Sequence, residues 1–328
     1  MKKLLYLTGL LCCLHCSLWA QDPVFSQFFS APMQLNPALT GLSDAPTIYL
    51  NYRNQWSKIN QAYATYSAAY SQFSPKLRSG FGINALADVQ GNGIYTTSQF
   101  NFSYAYDIRF DENFYIRTGL EFGFVSKRLN WDKLIFLDQL DPTIGLSNPT
   151  NEAMVQQSIN YFDAGFGMVL HWNNIHGGVS FKHINQPNEA FYQMQISDGQ
   201  LPVRTTLHAG AQIPIGAHNK GKNNTFISPN LLFVKQRQFH QLNFGAYAQV
   251  QDFFGGLFFR HAFGNSDALI MTLGLSKGVF KVAYSYDVTV SGLGPNTGGS
   301  HEVALILNFE DKNKKHKQRY NDCLKIFR

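Results

Sequence analysis

The sequence predicts an all-β fold, a transmembrane antiparallel β-barrel of about 14 strands with a non-barrel segment at its N-terminus. The first observation is a period of two. Between residues 96 and 127, Phe100, Phe102, Tyr104 and Tyr106 fall on one face while Gln99, Asn101, Ser103 and Ala105 fall on the other. The pattern repeats with Phe114, Ile116, Leu120, Phe122 and Phe124 opposite Tyr115, Arg117, Gly119, Glu121 and Gly123. Successive side chains of a strand point to opposite faces, and aromatics on one face with small or polar groups on the other describe a wall between lipid and a lumen. The second observation is composition: aromatic residues make up 15% and charged residues only 15%, at a mean hydropathy of −0.19, whereas soluble domains carry about 25% charged residues. Loop length supplies the third.

Residues 1–20 read as a secretory signal, with Lys2 and Lys3, an apolar run from Leu4 to Leu18, and Ala20 before Gln21. Cys12, Cys13 and Cys16 lie within it, so its removal leaves Cys323 without an intramolecular partner. Leu14 and His15 are not the small residues that a lipoprotein signal prefers ahead of Cys16. Residues 21–46 do not alternate, and they combine Pro23, Pro32, Pro37 and Pro46 with Phe25, Phe28, Phe29, Met33 and Leu35. Such apolar residues need burial, so a periplasmic or plug segment lodged in or under the barrel is expected. The barrel itself is assigned to residues 47–309, with strands at 47–56, 64–73, 80–88, 96–107, 114–127, 160–171, 176–183, 204–214, 226–236, 240–250, 253–261, 268–275, 280–288 and 300–309. Beyond the signal no stretch approaches the roughly 20 apolar residues of a membrane helix.

An even strand count returns both ends of the barrel to the periplasm, where turns are short, and leaves the long loops outside. With the first strand running outward, the longest connections, 128–159, 184–203 and 289–299, all fall on the extracellular side. The short turns 107–113, 172–175, 251–252 and 276–279 fall on the periplasmic side, with the Gly-, Lys- and Asn-rich link 215–225 as the exception. A soluble sandwich has no reason to sort its loops in this way. Trp56, Trp131 and Trp172, with tyrosines near strand ends, fit the aromatic girdles of the two interfaces.

The formal charge of +6 is unevenly placed. Lys2 and Lys3 carry two of those charges, and residues 310–328 set seven Lys or Arg against three acids, so the body at 21–309 is neutral. A basic nucleic-acid-binding face is therefore excluded for the body. The tail at 310–328 is a local basic segment, read as a solvated end or as a contact for acidic periplasmic partners and inner-leaflet headgroups.

Arg53 lies on the polar face of the first strand and Glu302 on that of the last. Closing the barrel pairs these strands, so the two should meet inside with Asp287 nearby, a luminal charge cluster of structural character. Ser300 and His301 are sequence neighbours whose side chains point to opposite faces of a strand, which defeats a nucleophile–base pair. His171, His176 and His183 match no compact zinc spacing, and Asn92-Gly93, Asp198-Gly199 and the Gly-rich 292–299 are turn chemistry outside the strand-to-helix context of a phosphate loop. No catalytic residue, metal ligand or cofactor is assigned.

Several stretches together resemble one family. Gln27-Phe28-Phe29 leads to Asn36-Pro37-Ala38 and Gly41, then to Asn51-Tyr52-Arg53-Asn54-Gln55-Trp56. The resemblance continues through Asn185-Gln186-Pro187, Leu201-Pro202, Tyr284-Ser285-Tyr286-Asp287 and Gly299-Ser300-His301-Glu302. These residues are similar to the PorP/SprF family of type IX secretion outer-membrane proteins of Bacteroidota. The resemblance implies a non-enzymatic barrel in the outer membrane that works with the type IX secretion and gliding machinery. Its implied partners are secreted adhesins or other type IX cargo, recognised through a C-terminal sorting domain, and periplasmic components of the machinery. In this sequence Phe309 occupies the usual terminal aromatic position, yet the basic tail follows it.

Both readings converge on a membrane-fixed dock surrounded by outer-membrane lipid. The loops at 128–159 and 184–203 would hold the secreted partner, while the N-terminal segment and basic tail face the periplasmic machinery. The first loop carries Trp131, Leu134, Ile135, Phe136 and Leu137, more apolar surface than a solvated loop exposes, and the second carries Asn185, Gln186 and Pro187. Packing over the barrel mouth is the other reading of those apolar residues. The alternative function is an outer-membrane channel, a porin or a transporter of small or hydrophobic solutes, because a barrel of this size encloses a lumen that is either plugged or wet.

Overall fold

A computed structural model of the chain describes residues 22–59, 62–111, 113–146, 149–152, 156–191, 199–215, 225–263, 267–290, 297–309, 324 and 327. The signal at 1–20, Cys323, Asp198 and all of the basic tail except two residues lie outside the described residues.

The sheet is a closed barrel of 14 antiparallel strands. In chain order they are β1 (Thr47–Gln55), β2 (Tyr63–Ser74), β3 (Ser79–Gln90), β4 (Tyr95–Arg109), β5 (Phe114–Leu129), β6 (Ser158–Trp172) and β7 (Ile175–Lys182). They continue with β8 (Arg204–Ala211), β9 (Phe226–Gln236), β10 (Phe239–Val250), β11 (Phe253–Ala262), β12 (Ala268–Lys277), β13 (Phe280–Thr289) and β14 (Ser300–Asn308). Each strand pairs with its neighbours in the chain, and β1 pairs with β14 to close the ring, which leaves no free edge. The register of that seam sets Arg53 directly opposite Glu302.

Alternation decides which side chain meets lipid. On β4 and β5, Phe100, Phe102, Phe122 and Phe124 are exposed, the third at 57%, while Arg117 and Glu121 are buried in the lumen. At the periplasmic turns Phe110, Trp172, Phe253, Phe280 and Phe309 are exposed around the rim, the position of an interfacial aromatic girdle. Connections on that side are short apart from the link between β8 and β9. The extracellular side carries the long loops after β5, β7 and β13, but β9 and β10 meet there in a tight turn around Arg237, whose φ is +53°. The outer wall is thus tall around β4 to β6 and low around β9 and β10.

Residues 22–46 fill the lumen. Two 3-10 turns, Phe28–Ser30 and Pro37–Leu39, flank one helical turn, Pro32–Leu35. The four prolines exclude this stretch from a central strand, and the absence of period two gives it no face to offer lipid. Phe28 and Phe29 pack edge-on against Tyr247, with centroids 6.3 and 4.5 Å away, and reach Phe258 and Phe254 of β11. Glycines on the wall make room: a Cβ on Gly80 would overlap the Thr40 carbonyl, and one on Gly119 would overlap the backbone at Pro37 and Ala38. From below, Leu324 and Phe327 return into the same core, where the Tyr49 hydroxyl donates to the Phe327 carbonyl at 3.2 Å and the Phe327 ring meets His176. Of the segment expected to face periplasmic partners, only its last residues, where Ser43 bonds Asn308, reach the periplasmic rim.

Candidate functional site

The described residues offer three candidate regions, taken from the lumen outward. The first is the luminal charge cluster. Arg53 of β1 reaches Asp287 of β13 at 3.0 Å and Glu302 of β14 at 3.1 Å, and Arg260 of β11 also pairs with Asp287. Glu302 accepts from the backbone N–H groups of Ser26 and Gln27 at 2.8 and 2.9 Å, and the Ser26 hydroxyl donates to Asp287 at 2.6 Å. Two guanidinium groups face two carboxylates, so the cluster is neutral as well as hydrogen-bonded. That is the condition under which charge can be buried at acceptable cost. The cluster fastens five separate pieces of chain: the plug, the first strand and three of the last four.

Deeper in the lumen Arg117 is fully buried, bonded to Asp107 at 3.1 Å and donating to the Thr40 carbonyl of the plug at 2.6 Å. Asn36 donates to the carbonyls of Met168 and Val179 at 3.2 and 3.1 Å. His171 stacks on Tyr115 with centroids 4.2 Å apart, and His176 packs on Phe327, so both belong to the packed lumen. Ser300 faces inward, whereas the His301 ring meets the Tyr284 hydroxyl on the outer face at 2.7 Å.

Above the plug lies the second region, an extracellular vestibule of about 490 Å³. Asp22, Arg204 and Lys127 line it together with Trp56, Tyr95 and Tyr161. Asp22, the first described residue of the plug, sits 2.6 Å from His183, which meets Asp163 at 2.9 Å on its other ring nitrogen. Burial opposes a charge on His183, but the two carboxylates outweigh it and push its pKa up to about 9. Lys127 pairs with Glu189, and Lys182 with Glu121 at 2.9 Å.

The third region is a lobe at residues 130–157, over the tall side of the wall. Trp131–Lys133 and Leu137–Gln139 form 3-10 turns, and Leu140–Asp141 pairs with Gly145–Leu146. Asp138 accepts from Asn151 N at 2.6 Å and from the Thr150 hydroxyl at 3.1 Å, and Asp141 accepts from Thr143 N at 2.7 Å. Lys133 donates to the Asn92 carbonyl at 2.6 Å, which leans the lobe on the turn between β3 and β4. The Trp131 and Phe136 rings pack together at 5.1 Å, and both residues are half-buried, as is Leu134. Ile135 and Leu137 point out, 64% and 89% exposed, and Leu140, Ile144 and Leu146 join them. Sequence reasoning singled out 131–137 and passed over the last three, although their place around Pro142-Thr143, a turn signal, marks a hairpin that would present them together.

Asn185, Gln186 and Pro187 lie just beyond β7. Strand β6 extends past the end of β7, and the Asn185 amide completes its ladder by accepting from Ala164 N at 3.1 Å and donating to the Phe162 carbonyl at 2.7 Å. Gln186 is exposed with a φ of +44°, while Pro187 is buried and its carbonyl accepts from Leu201 N at 2.9 Å. Asn185 and Pro187 thus shape the loop, and Gln186 lies exposed between them.

A closed antiparallel barrel with aromatic rims, outward phenylalanines and a filled lumen defines an outer-membrane barrel protein. The chain belongs to the type IX secretion system membrane protein PorP/SprF family, which matches it over residues 17–307. Among solved structures it is similar to the outer membrane protein Omp33 of Acinetobacter baumannii, at 6% identity over 82% of this chain and 100% of that one, with a TM-score of 0.45. It is also similar to the CymD monoaromatic hydrocarbon channel, at 11% identity over 90% and 95% of the two chains, with a TM-score of 0.46. No curated protein matches. Family and fold together place the chain in the outer membrane as a component of type IX secretion.

Proposed function

We propose that this barrel is a non-enzymatic dock that holds a secreted type IX partner, such as an adhesin's sorting domain, at the surface of a Bacteroidota cell. The observation that carries the reading is the lobe: a hydrogen-bonded loop that turns Ile135 and Leu137 outward. Burying a Leu or Ile side chain is worth about 1.5–3 kcal/mol, so an ordered scaffold exposing several of them stores binding energy for a partner. Asn185, Gln186 and Pro187 set the neighbouring loop beside it, and the vestibule would receive the partner's polar parts. The Arg53, Asp287 and Glu302 cluster anchors the plug at the floor of that vestibule. Periplasmic components of the machinery would meet the opposite rim and the basic tail.

Deleting residues 134–137 should abolish surface retention of the partner while the barrel still folds, as read from heat-modifiable mobility. Unchanged retention removes the lobe from the mechanism. The channel reading competes for the same fold, and the plug speaks against it: residues 22–46 occupy the space that a diffusing solute would need. A large open-state conductance of the intact protein would restore the channel reading.

A further inference from the structure

The outer wall carries a groove of about 780 Å³ on its lipid-facing side, running from β14 across the seam to β5. Its floor follows from register. Leu50, Ala68, Ala85 and Phe100 lie side by side on β1 to β4, so the wall dips at two alanines between large neighbours. One step toward the extracellular end, Tyr66, Ala87, Ser98 and Ser126 form the next row, and the dip widens toward β5. One step toward the periplasm, Tyr70, Ile83, Phe102 and Phe122 are all large and exposed and close the groove from below. Ala85 and Val89 are four residues apart, about 13 Å along a strand. That is close to one leaflet of the roughly 30 Å hydrocarbon core, so the groove belongs to the outer leaflet alone.

We infer that this groove seats an acyl chain of a phosphorylated outer-leaflet glycolipid. Its walls are apolar, and the row of large side chains below closes it toward the periplasm, so it extends toward the extracellular headgroups. At that open end Arg128 follows Ser126 on the outward face of β5, opposite Thr96, and is exposed. A guanidinium there meets a lipid phosphate at the level where such groups lie, and Arg suits phosphate through its forked donors. A zwitterionic phospholipid carries one phosphodiester whose charge its own ammonium offsets, so it would fill the same groove but engage Arg128 more weakly than the phosphomonoesters of such a glycolipid.

Native mass spectrometry of the full-length barrel, loaded with diphosphoryl lipid A or with phosphatidylethanolamine and then stripped by detergent exchange, tests this. The wild-type barrel should keep lipid A under conditions that remove phosphatidylethanolamine. Filling the groove with Ala85→Phe and Ala87→Phe should lower lipid A retention about tenfold. Arg128→Gln should lose the preference for diphosphoryl over dephosphorylated lipid A. Heat-modifiable mobility reports folding, and Ala68→Phe serves if the double variant does not assemble. Equal retention by wild-type and filled barrels overturns the inference. So does equal retention of the two lipids, or a wild-type dimer that the groove substitutions dissolve, which would make a second copy the occupant.

Discussion

The plug and the extracellular lobe are both irregular, both rich in apolar side chains, and opposite in what they do with them. In the plug Phe28, Phe29, Leu39 and Leu42 are buried, and the polar groups of Ser26, Gln27 and Asn36 reach partners on β1, β6, β7, β13 and β14. In the lobe Asp138 and Asp141 accept hydrogen bonds from within the loop, Lys133 reaches only the neighbouring turn, and Ile135, Leu137, Leu140, Ile144 and Leu146 are left facing out. Exposed apolar surface on an ordered loop has no internal beneficiary. The contrast assigns stability to the lumen and recognition to the surface.

Substitutions in the lumen should therefore cost stability in proportion to the contacts they break, whereas substitutions on the lobe should cost only binding. The largest effect is expected for Asp287→Ala, which strips a carboxylate from both Arg53 and Arg260 and should lower stability by about 3–5 kcal/mol in urea titrations in micelles. Gly119→Leu drives a side chain into Pro37 and Ala38, so overpacking of about 1–3 kcal/mol should accompany displacement of the plug, and conductance should rise in planar bilayers. His183 gives a milder, pH-dependent effect. Its folded pKa, raised to about 9, means that its bond to Asp22 is fully stabilising below about 6.5, the unfolded value, and is lost as pH climbs through 9. The exchange protection of the amides at residues 24 and 25, corrected for the intrinsic base-catalysed rate, should then fall above pH 9, and His183→Gln should remove that step. Smallest of all, Ile135→Asp with Leu137→Asp should change stability by less than about 0.5 kcal/mol while abolishing partner retention. A lobe variant that unfolds the barrel, or a plug variant that spares it, would break the division between the two regions.

The barrel was legible because lipid enforces it residue by residue. Phe100 and Phe102 face out, and Asn101 and Ser103 face in, because successive side chains of a strand alternate. Arg53 and Glu302 could be brought together from closure alone, since the first and last strands of a barrel pair. The plug could be inferred only as a segment needing burial. Its partners lie far along the chain, Ser26 to Asp287 and Asn36 to Met168, and no local period encodes such contacts. Leu324 and Phe327 were hidden by their basic surroundings, which read as a solvated tail. The part played by Asn185 depends on β7 ending before its neighbour β6, a mismatch of strand heights that sequence does not express.

The most direct measurement is the affinity of the purified full-length barrel, in micelles, for the sorting domain of its secreted partner, compared with the Ile135→Asp/Leu137→Asp variant. The account predicts specific binding by the wild-type protein and loss of at least about tenfold in the variant, at equal folded fraction. Equal affinity for the two proteins would contradict it and return the function to the lumen.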